Sequence, residues 1–431
     1  MTKANQVTGQ RIYSLITELF PITRSLTGEG VRESLQIIKR YLPELKIESI
    51  PSGEKVLDWE IPKEWNIREA WIKDPDGKIV VNLHDHNLHV MGYSIPVSKK
   101  LNLEELKPKL YTLPDQPDVI PYRTTYYRPD WGFCLSHNQF ASLKDGIYEV
   151  YIDSQIEPGF LNYGELYIQG KTEQEFLLSC YICHPSMAND NLSGVGLLAE
   201  LAGAVLKKPN HFSYRFLFIP ETIGSIAWLH RNKSRTQQIK LGLVATCLGD
   251  PGSFTYKKSR RGNADIDRIT EFVLKRSEFQ HVIEGFFPFG SDERQYCSPG
   301  FNLPVGCLMR SRYSRFKEYH TSADNLEFIT PKALGETFSI YQQVIGVAER
   351  NFKYKNLKPF GEPALGKRGL YKNERVQADF PDIQLAYLWV LNFSDGNHDL
   401  LDITEKSGLS FDVISEATTI LEKHDLIRKI L

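Results

Sequence analysis

The chain has 431 residues, 41% hydrophobic and 24% charged, the composition of a folded globular protein rather than a disordered one. A formal net charge of −1 excludes the basic field that a general nucleic-acid or membrane-surface binder needs. No run reaches the ~18 apolar residues of a membrane span, and the polar start Met1-Thr2-Lys3-Ala4 has no signal-peptide core. The cytoplasm is therefore the expected location, and two or three domains are expected at this length. Six cysteines in so long a chain do not make a disulfide framework. The single C-x-x-C, Cys180 and Cys183, falls on a predicted strand, and both read as small core residues.

In chain order, Ile12, Leu15, Ile16 and Leu19 recur at helical spacing. Residues 8–41 thus read as two helices separated by Phe20-Pro21 and the two-glycine turn 24–32. Arg24 and Arg32 in that turn read as solvated charges, with a place beside a substrate as their alternative. From Ile47 to Ile168 short alternating runs are separated by Pro, Gly and Asp, the pattern of antiparallel strands. We read 47–168 as a β-rich domain inserted into an α/β one. His84, Asp85, His86 and His89 lie there, and without a Cys or Glu partner they read as a surface turn.

The α/β alternation resumes at Glu175. Strands at 176–182, 214–220 and 241–246 enclose helices at 194–206 and 223–232, which predicts a largely parallel sheet with helices on its faces. A helix at 264–277, the apolar stretch 305–309 and a long helix at 331–351 complete this part. Beyond the Pro- and Gly-containing stretch 358–363, helices near 382–393, 399–406 and 410–424 follow in an order resembling a winged helix. From Leu370 onward there are 6 Lys/Arg against 11 Asp/Glu, and Asp412, Glu416 and Glu422 lie on the would-be recognition helix. That sign opposes DNA reading and suits a packing or oligomerisation module.

Chemistry concentrates where the buried strands end. His184 follows one strand and Asp190 lies in the polar turn after it. A histidine and a carboxylate so placed can face one cavity, the way zinc hydrolases present ligands; a helix-capping Asp with a chance His is the plainer alternative. Glu221 ends the next strand, so its carboxylate faces the same crevice, placed to take a proton from water and pass it to a leaving amine. Capping the following helix is its simpler role.

Three segments carry a family resemblance. Asn189-Asp190-Asn191-Leu192-Ser193-Gly194 resembles the Asn-Asp-Asn-x-Ser-Gly signature of zinc aminopeptidases and related exopeptidases. Ser291-Asp292 resembles their Ser-Asp-His stretch, and 319–324 (Tyr-His-Thr-Ser-Ala-Asp) their Tyr-His-Thr-x-x-Asp. The resemblance implies Asp190 and His320 as metal ligands beside His184, with Ser193-Gly194 opening a helix packed closely on the sheet. It further implies that Asp292 orients a ligand histidine and that Asp324 starts the closing helix. Arg294 becomes a candidate for a substrate carboxylate, and Tyr319, Arg294 or Arg261 for steadying an oxyanion or a substrate terminus.

Three departures from the pattern matter. The Glu-Glu pair of the di-zinc enzymes is Glu221-Thr222 here, and their later ligand Asp aligns with Thr246-Cys247-Leu248-Gly249, with Asp250 only nearby. Glu293 stands where the family often has His. What remains is one zinc ion on His184, Asp190 and His320, a fourth position for water, and Glu221 as general base. The full order of elements resembles a bacterial aminopeptidase-like family often associated with polysaccharide biosynthesis. It implies a zinc exopeptidase-like domain (1–46 and 169–358), an inserted β-rich domain (47–168) and a winged-helix-like domain (359–431). The expected activity is zinc-dependent hydrolysis of a peptide or other amide bond in a small substrate, without nucleic-acid or membrane partners and with a homo-oligomer left open. The alternatives are an amidase or deacylase acting on an N-acylated sugar or modified amino acid, and a non-catalytic scaffold that keeps the metal.

Overall fold

The computed structural model describes residues 3–371 and 382–430; residues 372–381, within the expected C-terminal domain, lie outside the described residues. Buried apolar strands alternating with helices build an eight-stranded sheet. From edge to edge its strands are Lys46–Pro51, Phe160–Ile168, Ser213–Ile219, Glu175–Tyr181, Ile239–Ala245, Val305–Met309, Phe254–Lys257 and His281–Glu284. The third to sixth in this order are parallel neighbours. Both flanks join them antiparallel, so the sheet is mixed and parallel mainly at its centre. Every residue of Glu175–Tyr181 and Ser213–Ile219 is buried, which is why these strands read as continuous apolar runs rather than alternations.

The region expected as an inserted domain is less separate than its composition suggests. Lys46–Pro51 and Phe160–Ile168 extend the large sheet, and their Ile50, Leu161 and Tyr163 join its core. Between them a four-stranded antiparallel sheet runs in the order Ile79–Asn82, Glu64–Lys73, Ile147–Glu157, Val97–Asn102. Ile72, Phe133, Tyr148 and Val150 give it a core of its own. Val56, Ile61, Trp65 and Tyr93 instead share a core with Leu217, Ile219 and Trp228 of the α/β part. Residues 1–342 accordingly form one compact unit, and 343–431 a second.

The second unit holds helices Asp382–Phe393, Leu400–Ser407 and Phe411–Lys423. Its small sheet pairs Lys353–Asn356 with Asp395–Asp399 and Ile427–Lys429. Its first strand thus precedes residue 359, because the backbone of 353–356 pairs with 395–399 and 427–429; the stretch 358–363 is a loop within the unit. Among the described residues no helix is long and apolar enough to cross a membrane.

Arg32 is not a free turn charge. Its guanidinium reaches both oxygens of Glu64 (2.6 and 2.8 Å) and ties the second helix, Glu29–Tyr41, to Glu64–Lys73. The hydrogen bonds from Arg32 hold the Glu64 carboxyl at about 2. A depressed carboxyl contributes stability that is complete above its unfolded pKa of about 4.3 and disappears as pH falls through the folded value. Arg32→Met should therefore cost about 1–2 kcal/mol at pH 7, after allowance for solvent screening of a part-exposed pair. The deficit should shrink between about pH 4.3 and pH 2 in urea-unfolding midpoints.

Candidate metal centre and its cavity

His184 sits just past the strand Glu175–Tyr181, and its carbonyl accepts a hydrogen bond from Arg24 Nε at 3.0 Å. Arg24 is 2% exposed, so the expectation of a solvated charge is overturned. The turn that carries it packs against the loop bearing His184, and burial lowers its pKa to about 10. Asp190 lies in the tight segment Ala188–Leu192, ahead of the helix Ser193–Leu206. A Cβ on Gly194 would meet the Ala245 carbonyl oxygen at 2.4 Å, so only glycine lets this helix approach the sheet as it does.

Asp324 holds the Asp190 loop. Its two carboxylate oxygens accept the amide N–H groups of Asn189 (2.6 Å) and Asp190 (2.8 Å), and its carbonyl accepts that of Ala188 (3.0 Å). It does not start the closing helix, which begins later at Pro331, where Thr330 Oγ1 accepts the Ala333 N–H at 3.0 Å and caps it. The Tyr181 hydroxyl donates to Asp190 Oδ1 and also meets Thr246 Oγ1 at 2.6 Å. His320 is fixed from the β-rich region: the Tyr122 N–H donates to its carbonyl (2.8 Å) and Ser322 N–H donates to the Ile120 carbonyl (2.9 Å). The Tyr319 ring stacks on the His320 ring, centroids 3.9 Å apart and nearly parallel at 12°.

These supports bring three side chains together. The ligand atoms of His184, Asp190 and His320 all lie within 4.8 Å of one another. His320 Nε2 is 3.1 Å from Asp190 Oδ2, yet both atoms are buried without a hydrogen-bond partner. Two such polar atoms aimed at one point fit a divalent cation, which satisfies them together. Burial lowers His184 to about 4, leaving a neutral imidazole suited to ligation. Burial works against the Asp190 anion, but His184, His320 and the Tyr181 hydroxyl together hold its carboxyl below the usual range. Backbone strain collects here as well: Ser186, Thr222, Cys247 and His320, none of them glycine, have positive φ of 42–63°.

Glu221 Oε2 stands 3.8 Å from His184 Nε2, its side chain 27% exposed to the cavity. Burial, then the charges of Asp292 and Asp190, push its carboxyl well above the ordinary range, while Arg294 opposes them. Cys183, past the strand end rather than on it, accepts the Glu221 N–H through sulfur at 3.3 Å. Asp292 does not orient a ligand histidine. Its Oδ1 accepts the Thr222 N–H (2.7 Å) and the Ser225 hydroxyl (3.0 Å), fixing the turn that presents Glu221. Burial raises Asp292 to about 7.

Arg294 donates to Thr222 Oγ1 (3.1 Å) and is not among the residues lining the cavity, and Arg261 is bound to the Asn302 carbonyl. Glu293 is fully buried in an ion pair with Lys257 at 2.7 Å, which accounts for a glutamate at that position without a role at the metal. Asp250 is also committed: its oxygens take Asn189 Nδ2, the Ser311 hydroxyl and the Gly252 N–H. Of the histidines read as a surface turn, His89 is buried, with Nδ1 bonded to the Cys134 carbonyl, which offsets the cost of its desolvation, and the four residues 84–86 and 89 are not part of the cluster.

A cavity of about 260 Å³ opens onto His184, Glu221 and His320. Its far wall comes from the β-rich region: Trp59, Tyr122, Tyr126 and Tyr127. The Tyr122 ring lies 5.2 Å from both imidazoles, and its hydroxyl meets that of Tyr126 at 2.8 Å. Sequence reasoning missed these residues. The available signal was the aromatic-rich run Tyr122-Arg123-Thr124-Thr125-Tyr126-Tyr127, which nothing in its own spacing ties to a metal site.

A mixed α/β sheet with two imidazoles and a carboxylate gathered in the loops leaving its parallel strands defines an aminopeptidase-like protein. The zinc aminopeptidase BSAP of Bacillus subtilis shares the fold, with TM-score 0.57 at 12% identity over 79% of this chain and 95% of that one. Residues 13–351 match the family described as a domain of unknown function, DUF4910, and 352–429 match a winged helix-turn-helix family, so the chain belongs to the DUF4910 family and ends in a winged helix. A Clostridium acetobutylicum protein, provisionally named as a polysaccharide biosynthesis protein with an aminopeptidase-like domain, is 51% identical over 98% of this chain and 96% of its own. A crystal structure from the same organism, described provisionally as a peptidase, has TM-score 0.93 at 50% identity and covers 99% of this chain and 98% of that one.

Proposed function

We propose that this chain is a zinc-dependent hydrolase of amide bonds that holds one ion on His184, Asp190 and His320. A single observation carries the reading: these ligand atoms lie within 4.8 Å of one another, with the Glu221 carboxylate 3.8 Å from His184. A zinc ion there supplies a Lewis acid for the amide carbonyl and lowers the pKa of water. Glu221 takes the proton of the attacking water and returns it to the leaving nitrogen. Asp324 and Tyr181 hold Asp190, Tyr319 holds the His320 ring, and Asp292 holds the turn behind Glu221.

The commitments of the neighbours support one ion rather than two. Thr222, Thr246 and Asp250 stand where a second site would need free carboxylates, and each is engaged elsewhere. The partner we assign is a small amide substrate. The acidic helix Phe411–Lys423 supports a packing or oligomerisation role for the winged helix rather than DNA reading.

Elemental analysis of the purified chain, beside a panel of aminoacyl-anilides, peptides and N-acylated sugars, tests the reading. One zinc per chain and turnover of an amide that stops on chelation are expected. A chain that binds no divalent ion, or a zinc-loaded chain inert on every amide, overturns it.

A further inference from the structure

We propose that the substrate of this centre is an uncharged N-acylated saccharide, its sugar ring seated on the aromatic wall, rather than the free end of a peptide. The inference rests on the hydrolase reading above and specifies what the site accepts.

Charge comes first. Among the described residues lining the cavity at the metal ligands there is no lysine or arginine, and the one carboxylate is Glu221. A free α-carboxylate would therefore face Glu221 with no cationic side chain to hold it. Arg294, the candidate for that task, is bonded to Thr222 Oγ1 and does not line the cavity. A free α-amine fares no better, since its only anionic partner would be the group assigned to proton transfer. Thr222, beside Glu221, offers a hydroxyl and not a second carboxylate. Neither end of a peptide has a dedicated side-chain partner in the cavity at the metal ligands, which favours neutral groups flanking the amide.

Shape comes second. A larger cavity of about 620 Å³ adjoins the first, and both are lined by Trp59 and Tyr127. These two rings meet edge to face at 5.8 Å and are 40% and 55% exposed. Exposed, rigid aromatic faces give apolar contact area to the C–H face of a sugar ring at little entropic cost. Around them the larger cavity offers Asp58, Glu60, Lys63 and Ser52, a set of donors and acceptors suited to hydroxyl groups. The arrangement places an acylamino group at the metal ligands and continues the saccharide past Trp59 and Tyr127. In the reaction a water oxygen bonds to the acyl carbon, the C–N bond breaks, and the products are a carboxylate and a free amino sugar.

Binding can be read apart from turnover. In the full-length Glu221→Gln chain, short N-acetylglucosamine oligomers and neutral-capped or free peptides of similar size are compared by calorimetry and saturation-transfer NMR. We expect the oligomers to bind, and Trp59→Ala and Tyr127→Ala each to weaken binding about tenfold, a change of ~1.4 kcal/mol, with thermal unfolding little altered. Free-ended peptides that bind more tightly than the oligomers overturn the assignment. So does oligomer binding that neither aromatic substitution weakens. If zinc and anilide hydrolysis are present but oligomers do not bind, the saccharide assignment falls and the hydrolase reading stands. If oligomers bind through Trp59 to a chain without zinc, saccharide binding at the aromatic wall stands, while the hydrolase reading falls and with it the saccharide's role as a substrate.

Discussion

Replacing Glu221 by glutamine should leave one zinc ion per chain and lower kcat by about two to four orders of magnitude, the range for loss of a positioned general base. The amide keeps the shape and the hydrogen bond from the Glu221 N–H to Cys183 but cannot accept a proton. Unlike the three ligands, Glu221 is not needed to gather the ion: the cluster closes within 4.8 Å without it. His320→Ala makes the contrast, because it removes one of three ligands and should abolish zinc retention and turnover together. Metal content by elemental analysis and kcat under saturating amide substrate separate the two variants. A Glu221→Gln chain that retains more than about a tenth of wild-type kcat would assign proton transfer elsewhere.

How much of this was legible in the sequence depends on whether a signal was local. His184, Asp190, Glu221 and His320 each follow a buried strand or sit in a short motif, so residue type and spacing were enough to nominate them. The parallel centre of the sheet was legible for the same reason, since its strands are buried on both faces and read as unbroken apolar runs. The flanking strands Phe254–Lys257 and His281–Glu284 were not. Each has only four residues, and Lys257 breaks the apolar pattern because its charge is met by Glu293, thirty-six positions away. Arg24 misled for a related reason. An arginine between a proline and two glycines has the composition of a solvated turn, and only the fold reveals the carbonyls of Leu19 and His184 that bury it. Asp292 and Asp324 were assigned parts by analogy with the family. The structure gives them to backbone amides, contacts that no side-chain spacing encodes. The aromatic wall was the least visible feature, because Trp59 and Tyr122 become neighbours of the metal ligands only when the β-rich region folds over them.

The second large effect is expected at Asp324, which touches neither the proposed ion nor the cavity. Each of its oxygens accepts one backbone N–H of the Asn189-Asp190 segment, an arrangement that favours the carboxylate although burial and the nearby Asp190 push its pKa upward. Asp324→Ala strands two buried donors, at about 1–3 kcal/mol each, so a loss of about 2–6 kcal/mol in urea unfolding is expected. Asp324→Asn is the more informative variant. Its single carbonyl oxygen serves one amide while its NH₂ faces the other, so the fold survives with the Asp190 loop displaced. Groups that orient a ligand typically contribute 10–100-fold to metal affinity, and zinc competition against a chelator should show a weakening of about that size. A purely structural Asp324 would lower stability in both variants and leave zinc affinity unchanged. A positioning Asp324 lowers zinc affinity in Asp324→Asn by more than its stability loss explains, because Oδ2 of Asp190 reaches His320 at 3.1 Å only while the loop is held from beneath.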